Sequence, residues 1–364
     1  MSLTFDVHPN PSPATAEERA AVLAAPGFGQ QFTDHMAVAT WTVEDGWGDA
    51  KVVAYGPDAL NPASAVFHYA QEVFEGLKAY RHADGSIWLF RPEVNGQRMV
   101  DSANRLALPP LPVEDFIASI EALVRLDAAW VPGGGGEDSL YVRPFTIAYE
   151  DFLGVRPART VRYACIASPS GPYFESGVQP VDFWVSRRYS RAAPGNSGTG
   201  AAKCGGNYAA SLAGQEEAHA HGCPQVLFLD AAQFRYIEEF GGMNCFLVTR
   251  DGQLHTPALT GSILPGVTRR SILELARDRG LEPVEEHIEV DDMLARIRAG
   301  EIVEAFACGT AAVVNPVRSF KDGDQEYVVG DGSSGRHTMD IRNTLLDIQY
   351  GRIEDTHGWM RRVC

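Results

Sequence analysis

The sequence has few basic residues for its size: 31 Lys and Arg stand against 47 Asp and Glu, for a net charge of −16. Proteins that bind nucleic acid need a basic face for the phosphates, so this balance argues against nucleic acid as a partner. The chain also has no run of roughly 18 uncharged apolar residues, which a membrane-spanning helix requires. Residues 1–13 contain no apolar core flanked by positive charge, so we expect no signal peptide.

Cysteine pairs and metal-binding patterns are absent as well. The six cysteines lie singly along the chain without a CxxC pair, which is typical of reduced thiols in a cytoplasmic enzyme. None of the ten histidines belongs to an HExxH motif. His219 and His221 are two residues apart, which places them on different faces of a helix. We therefore expect a cytoplasmic protein without a metal site.

The length and the hydrophobic patterns predict two domains of mixed structure. A chain of 364 residues exceeds what one hydrophobic core usually holds. Strand-like runs such as Leu140–Tyr149 occur in both halves together with amphipathic helices such as Val113–Val131, which indicates an α/β or α+β enzyme. A segment rich in Gly, Pro and Ser near 168–180 is the best candidate for a boundary. We expect a smaller N-terminal domain over 1–175 and a larger C-terminal domain over 176–364.

One lysine lies among small residues in the segment Gly198–Ser211, GTGAAKCGGNYAAS. A nucleophilic lysine must be partly neutral, and burial achieves this by lowering its pKa. Small neighbours leave room for a bulky group at the nitrogen, and Gly205 and Gly206 let the backbone approach a planar ligand. On burial statistics alone, a solvated surface lysine is the commoner explanation.

Three further patterns suit an anionic or aromatic ligand. Glu239, in the segment YIEEFGGMNCF, is either a buried acid that pairs with a ring nitrogen or, with Glu238, a solvated charge in a turn after a strand. The segment Leu264–Arg270 resembles a loop that leads into a helix, and Ala307–Ala312 resembles a small-residue turn. Unpaired N–H groups at such places attract a phosphate, although short glycine turns are usually only turns. Arg98 lies almost two turns into a helix that Pro92 opens and could point at the same ligand.

Together and in this order, these segments resemble the motifs of the branched-chain aminotransferases, fold-type IV enzymes that use pyridoxal 5'-phosphate (PLP). The resemblance covers both predicted domains nearly end to end and implies the two-domain fold of that class. The matching segments are FTDHM (Phe32–Met36), FHYAQEVFEGLKAY (Phe67–Tyr80), FRPEVNGQRM (Phe90–Met99), LYVRP (Leu140–Pro144), LGVRP (Leu153–Pro157), AAKCGGNYAAS (Ala201–Ser211), EEFGGMNCF (Glu238–Phe246), ILPGVTR (Ile263–Arg269), CGTAA (Cys308–Ala312) and IQYG (Ile348–Gly351).

The resemblance assigns roles around the cofactor residue by residue. It implies that Lys203 holds PLP as an imine and acts as the proton-transfer base. It also implies that Glu239 pairs with the pyridine nitrogen, that Tyr208 bonds the phenolic oxygen, and that Arg98 holds the phosphate together with backbone N–H groups. The residues implied to bind the cofactor are Arg98, Lys203, Tyr208, Glu239, Val267, Thr268 and Thr310.

The reaction implied is ping-pong transfer of an amino group between L-leucine, L-isoleucine or L-valine and 2-oxoglutarate. Aromatic side chains suit the branched substrate, whereas Arg143 with Tyr69 and Tyr141 could receive the distal carboxylate of glutamate. The loop with Leu153 and Val155 would close the site of a neighbouring subunit, so a homodimer is implied. The residues implied to bind the substrate are Phe28, Tyr69, Phe74, Tyr141, Arg143, Val155, Tyr173 and Ala311.

Two alternatives stay open. A D-amino acid aminotransferase or an aminodeoxychorismate lyase would share the lysine, the acid and the arginine. Those enzymes are shorter and lack the N-terminal block that ends in FTDHM, which favours the L-branched-chain enzyme. A non-catalytic protein that binds PLP or another anion on the same scaffold is the second alternative, and the presence of both Lys203 and Glu239 argues against it.

The sequence departs from the mammalian members of the family at two places. Gly242 stands where they have a threonine, so the contact of that hydroxyl with the cofactor region must be lost or replaced by water. Ala312 and Asn315 stand where they have the cysteines of a CxxC redox switch. We therefore expect no thiol switch there.

Overall fold

The computed structural model describes residues 2–133, 136–172, 177–193, 195 and 197–364 and divides into two compact units. Unit 1 consists of Met1–Glu175, Ala202–Gly205 and Asp347–Cys364, and unit 2 consists of Ser176–Ala201 and Gly206–Leu346. Lys203, expected in the C-terminal domain, therefore belongs to unit 1. The reason is hydrogen bonding over long sequence distances, because the lysine's backbone is bonded to residues of unit 1 that are far away in the sequence, as described below.

Unit 1 is built on a nine-stranded sheet with the order β1-β3-β2-β8-β7-β5-β6-β18, to which β4 adds by pairing with β7. Neighbouring strands are antiparallel except β1 and β3, which are parallel. Numbered along the whole chain, the strands are β1 (Asp6–Val7), β2 (His35–Thr42), β3 (Gly46–Ala54), β4 (Glu72–Phe74), β5 (Leu77–Arg81), β6 (Ile87–Phe90), β7 (Ser139–Ala148), β8 (Thr160–Ser170) and β18 (Met360–Arg362).

The helices of unit 1 follow signals that are visible in the sequence. Thr15 and Glu18 form the capping box of α1, each side chain accepting a backbone N–H of the other residue. Pro92 occupies the first turn of α3. The apolar rhythm predicted over Val113–Val131 is confirmed as α4, which ends at Leu126 and is followed by a short 3-10 turn, Ala128–Trp130. The α-helices are α1 (Ala16–Ala24), α2 (Ala65–Tyr69), α3 (Pro92–Arg105) and α4 (Val113–Leu126).

The residues of strand β7 alternate between buried and partly buried. Leu140 and Val142 are fully buried and belong to the same apolar cluster as Phe116 and Ile117 of α4. Burial of each such side chain stabilises the fold by about 1.5–3 kcal/mol. The alternate residues Tyr141 and Arg143 are only partly buried, because successive strand residues point to opposite faces.

The FTDHM block fastens the N-terminal segment to this unit. The indole N–H of Trp130 donates to Asp34 Oδ2 over 2.7 Å, and His35 Nδ1 lies 2.6 Å from Asp127 Oδ1. The backbone N–H of Asn10 donates to His35 Nε2 over 2.8 Å, so that nitrogen is an acceptor and Nδ1 carries the proton. Burial raises the pKa of Asp127, and the bonds from His35 oppose that rise. These hydrogen bonds join the block to buried residues of unit 1.

Unit 2 holds a second nine-stranded sheet with the order β11-β10-β9-β16-β15-β12-β13-β14, to which β17 adds by pairing with β16. Because β11 also pairs with β12, six of these strands close into a barrel-like ring. The strands are β9 (Val181–Ser186), β10 (Gln225–Leu229), β11 (Ile237–Phe240), β12 (Met243–Thr249), β13 (Gln253–Pro257), β14 (Glu282–Glu286), β15 (Ile302–Gly309), β16 (Val313–Asp322) and β17 (Gln325–Val328).

Four helices complete the described part of the chain. The sequence predicts helices over 267–279, 290–299 and 337–350, and three of the four observed helices match these bounds to within one residue at each end. Among the described residues, no helix combines the length and the apolar character that crossing a bilayer requires. The helices are α5 (Gly205–Ala220), α6 (Val267–Asp278), α7 (Val290–Arg298) and α8 (Arg336–Gln349).

Candidate active site

Lys203 is fixed to two elements of unit 1 by its own backbone. Its carbonyl accepts the N–H of Phe74 over 3.0 Å, and its N–H donates to Ser102 Oγ over 2.9 Å. Phe74 ends β4 and Ser102 lies on the buried side of α3. The lysine Nζ lies 4.6 Å from the centroid of the Phe74 ring. These bonds give the lysine a defined position beside an aromatic face.

The amine of Lys203 is easier to deprotonate than an ordinary lysine. Part of the residue is exposed, but the amine itself lies among protein groups, and burial followed by the charge of Arg98 lowers the pKa of Lys203 to about 8. At pH 7 about a tenth of such an amine is uncharged, compared with fewer than roughly one in a thousand for an ordinary lysine. The residue can therefore act as a nucleophile and as a base near neutral pH.

Arg98 has a buried carboxylate partner that the sequence did not reveal. Its Nε and one terminal nitrogen donate to the two oxygens of Glu75 over 2.7 and 2.9 Å, and Asn95 donates to Glu75 Oε2 over 2.8 Å. Burial alone would raise the pKa of Glu75, but the charge and hydrogen bonds of Arg98 hold that pKa below its usual value. Since Lys203 also interacts electrostatically with both residues, Glu75 orients the guanidinium beside the lysine.

Four of the expected substrate residues gather beside the lysine. The guanidinium of Arg143 lies 4.8 Å from the Phe74 ring centroid, and one of its nitrogens donates to the Tyr141 hydroxyl over 3.0 Å. The rings of Tyr141 and Phe28 meet edge to face at 5.1 Å. Among the described residues, the buried Nε of Arg143 has no hydrogen-bond partner. An unpaired buried donor among aromatic rings suits a ligand that has both apolar and anionic parts.

Glu72 is a neighbour of this group that sequence reasoning missed. It lies two residues before Phe74 in β4, so both side chains are on the same face of the strand. The backbone N–H of Gly205 donates to its Oε1, and a side chain at position 205 would collide with that carboxylate. Burial raises the pKa of Glu72, opposed by the Gly205 bond and the charge of Arg143. The close approach of the Glu72 carboxylate explains why residue 205, two positions after the lysine, is a glycine.

Tyr69 and Val155, two further expected substrate residues of unit 1, are exposed and lie on or beside one loop. The hydroxyl of Tyr69 donates to the carbonyl of Leu153. Val155 is 87% exposed and Leu153 is 66% exposed, so this loop has little contact with its own chain. Tyr173 lies outside the described residues.

Glu238 and Glu239 lie within strand β11, so the alternative that they are solvated turn charges is wrong. They are 8% and 2% exposed, and the turn is made by the following glycines, with Gly241 at φ 50°. Ser262 donates its hydroxyl proton to Glu238, whereas the backbone N–H of Leu264 donates to Glu239 Oε1. A strand alternates its faces, so the two acids find different partners on opposite sides.

The start of α6 is the candidate anion site of unit 2. Val267 and Thr268 are its first residues, and Gly266 before them has no side chain that could cap the helix. A Cβ at Gly266 would collide with the side-chain oxygen of Asn244, whose amide nitrogen donates to the carbonyl of Leu264 over 3.0 Å. The N-cap residue thus makes no side-chain hydrogen bond to the first turn of this twelve-residue helix, whose dipole adds positive potential there.

The other expected residues of unit 2 lie on turns and on a helix. Thr310 and Ala311 form the turn between β15 and β16, which fits the predicted small-residue turn. Tyr208 lies in the first turns of α5 and is partly buried. A Cβ at Gly242 would lie 3.5 Å from the Tyr208 ring, an ordinary contact. The place of the mammalian threonine is therefore next to this tyrosine.

Known proteins match the chain over nearly its whole length. The family described as amino-transferase class IV matches residues 72–320. The branched-chain-amino-acid aminotransferase of Mycolicibacterium smegmatis (strain ATCC 700084 / mc(2)155) is 54% identical over 364 residues, which are 99% of this chain and 98% of that protein. The crystal structure of the Escherichia coli branched-chain amino acid aminotransferase is 30% identical with a TM-score of 0.74, covering 90% of this chain and 100% of that one.

A third relative has been solved with ligands. The T.th. branched-chain amino acid aminotransferase complexed with N-(5'-phosphopyridoxyl)-L-glutamate is 27% identical with a TM-score of 0.73. The same protein complexed with 4-methylvaleric acid is 28% identical with a TM-score of 0.71. Each covers 90% of this chain and 99% of its own.

These matches and the two sheets define a class IV aminotransferase, an enzyme that transfers nitrogenous groups, and they confirm the predicted fold-type IV fold. Within that class, the chain belongs to the branched-chain-amino-acid aminotransferase family. Enzymes of this class depend on PLP. Each unit, taken by itself, has residues with the chemistry that this cofactor requires: unit 1 has a lysine of lowered pKa, and unit 2 has a buried acid and a helix start without a side-chain cap.

Proposed function

We propose that this enzyme transfers amino groups between L-leucine, L-isoleucine or L-valine and 2-oxoglutarate in a ping-pong cycle with PLP. The observation that carries the proposal is the buried amine of Lys203, with a pKa of about 8, beside an arginine and aromatic rings. The T.th. relative supports it, because its structures contain a phosphopyridoxyl derivative of L-glutamate and a branched aliphatic acid. The 54% identity to the mycobacterial relative supports the same substrate class.

Bound PLP would supply an electron sink for the substrate α-carbon. Lys203 would hold the cofactor covalently and, once released, would take the proton from that α-carbon. Glu239 would keep a proton on the ring nitrogen, and Tyr208 would bond the phenolic oxygen. Arg98, oriented by Glu75, would bind the phosphate. The N–H groups of Val267, Thr268 and Thr310 would complete the phosphate site.

The substrate side must accept two unlike side chains. We propose that Phe28 and Phe74 contact a branched aliphatic chain and that Arg143 with Tyr141 receives the distal carboxylate of glutamate. The unpaired Nε of Arg143 supports this assignment, since a carboxylate would satisfy it. Tyr69, Val155, Tyr173 and Ala311 remain candidates from the family resemblance.

The absorption spectrum of the purified enzyme with PLP tests the proposal. We expect a visible cofactor band that L-leucine removes and 2-oxoglutarate restores, because the two half-reactions convert the cofactor and regenerate it. A band that ignores L-leucine and responds to a D-amino acid would favour the D-amino acid aminotransferase. A protein without any band after addition of PLP would contradict the proposed chemistry.

Substitution of Arg143 by methionine should change the KM values of the two substrates differently. The variant should raise the KM for 2-oxoglutarate about tenfold to a hundredfold, because a charge-assisted hydrogen bond contributes about 1.5–3 kcal/mol, and should change the KM for L-leucine much less. Steady-state kinetics with each substrate varied in turn give both values. Arg159→Met, at an arginine 60% exposed, is the control and should alter neither. Equal losses for both substrates would contradict the shared-site assignment.

We propose further that the enzyme is a homodimer whose interface includes Val155 and Leu153. Both are apolar and highly exposed, and Phe67 on the nearby α2, whose Tyr69 bonds the loop, is 60% exposed. Val155→Asp should lower the sedimenting mass from twice that of the 39.6 kDa chain towards the monomer, because a charge in an apolar interface is costly. Val43→Asp, at another exposed valine, should leave the mass unchanged. A monomeric wild-type enzyme would contradict this proposal.

We also infer that the enzyme works in the cytoplasm. All six cysteines are free thiols and five of them are buried. A protein with only reduced thiols suits a reducing compartment.

A further inference from the structure

Arg191 is a deeply buried cation in unit 2 and belongs to none of the motifs identified in the sequence. The residue is 3% exposed. One terminal nitrogen donates to the carbonyls of Gly200 and Ser262 over 2.9 and 3.0 Å. Its Nε lies 3.3 Å from Oε2 of Glu239, the acid expected to meet the cofactor. The arginine therefore contacts the carboxylate directly from within the protein.

The charge of this arginine needs a carboxylate close by. A buried cation costs several kcal/mol unless an anion compensates it, and carbonyl groups supply hydrogen bonds but no charge. Glu239 is the acid in contact, and Glu238 on the opposite face of β11 interacts with Arg191 at longer range. Cys308 also faces Glu239, but burial raises the pKa of its thiol, so it stays uncharged.

The arginine also joins three segments that surround the acid. Gly200 precedes the lysine by three residues, Ser262 lies on the loop before α6, and Glu239 lies in β11. A Cβ at Gly200 would collide with the backbone of Ser262, so the two loops are in close contact where the arginine bridges them. Leu264, from the same loop as Ser262, donates its N–H to the other oxygen of Glu239. One oxygen of the carboxylate thus accepts a hydrogen bond, and the other lies in ion-pair contact with the guanidinium.

We infer that Arg191 is a positioning residue for Glu239: its charge keeps the carboxylate ionised, so that the ring nitrogen of bound PLP retains its proton. The inference rests on the proposed function. A proton between a carboxylate and a pyridine nitrogen can reside on either atom. A guanidinium in contact with the carboxylate stabilises the ionised acid and so favours the protonated ring. Without the arginine, the carboxylate becomes more basic and draws the proton from the ring.

Nuclear magnetic resonance of the enzyme loaded with PLP labelled with ¹⁵N in its ring tests this inference. The ¹⁵N shift of the wild-type enzyme should be that of a protonated ring. In Arg191→Met the shift should move towards that of a neutral pyridine, and the half-reaction with L-leucine should slow by roughly tenfold to a hundredfold, the range for residues that orient a functional group. Arg191→Lys keeps the charge and should restore both the shift and most of the rate.

A second neutral variant controls for a possible folding defect in Arg191→Met. Arg191→Gln keeps a neutral polar side chain with an N–H donor near the position of Nε, so it should fold and show the same ¹⁵N displacement as the methionine variant. In the background of Glu239→Gln, removal of Arg191 should cause no further displacement, because the acid through which it acts is absent.

Three outcomes separate the inference from the proposed function. Neutral variants that bind PLP and keep the signal of a protonated ring would overturn the inference alone. A further displacement in the double variant would also overturn it, because the arginine would then act on the ring by another route. A wild-type enzyme that binds no PLP would overturn the proposed function, and the inference with it.

Discussion

Lys203→Met should abolish transamination and yet yield a cofactor-free protein that is more stable than the wild type at pH 7. The thioether can neither attach PLP nor accept a proton, so turnover should fall by at least about a millionfold, the scale seen when a covalent catalytic residue is removed. Methionine fits the apolar surroundings of the lysine stem beside Phe74. The visible band and the exchange of the L-leucine α-proton should both disappear.

The stability gain has a defined pH dependence. The pKa of Lys203 is about 8 in the folded protein and 10.5 in the unfolded chain, so the fold penalises the protonated amine. Between these values the unfolded chain binds more protons, and the stability of the wild type therefore rises with pH. Methionine removes a penalty of at most about 3 kcal/mol, which applies fully below pH 8 and vanishes above pH 10.5.

Urea unfolding of the cofactor-free proteins at pH 7 and pH 10.5 measures this difference. Lys51→Met is the matched control, because Lys51 is a lysine of the same unit whose side chain is 38% exposed. It should change neither turnover nor the pH dependence. Turnover retained in Lys203→Met would assign the base to another residue. A stability gain that is the same at both pH values would show that the amine is not desolvated.

The helices and the anion turns could be predicted because their signals are local. The capping box of Thr15 and Glu18, Pro92 at the start of α3 and the apolar rhythm of α4 each depend on residues within a few turns. The start of α6 was recognisable from the same short-range evidence. Such patterns indicate which residues lie on the same face of a helix, and that arrangement is the same in the folded protein.

Partners far apart in the sequence could not be predicted. Nothing near Arg98 indicates that Glu75 would fix it, and nothing near Arg191 indicates a contact with Glu239. In the sequence, the two adjacent acids of β11 resembled solvated turn charges. Their buried partners are a backbone N–H and a hydroxyl on a distant loop, which the local pattern does not show. The assignment of Lys203 to unit 1 likewise depends on backbone bonds to distant elements. Burial of a charge is decided by tertiary contacts, which periodicity does not contain.

Glu239→Gln should leave PLP bound and slow the reaction with L-leucine by about a thousandfold, a loss typical of removing a group that stabilises developing charge. An amide does not hold a proton on a pyridine nitrogen, so the ring would stay neutral and withdraw electrons from the α-carbon less strongly. Lys203, Arg98 and the start of α6 remain to retain the cofactor. Stopped-flow absorbance in single turnover measures the half-reaction without interference from product release.

Strand β11 itself supplies the control for this substitution. Glu238→Gln makes the same chemical change one residue earlier, at an acid that is also buried but points to the opposite face and bonds Ser262. We expect this variant to react at close to the wild-type rate, because its amide can still accept the serine hydroxyl. Similar losses in both variants would indicate damage to the strand rather than to the ring contact. Normal turnover in Glu239→Gln would mean that another group keeps the ring protonated, and Arg191 would then act only on the packing of the loops.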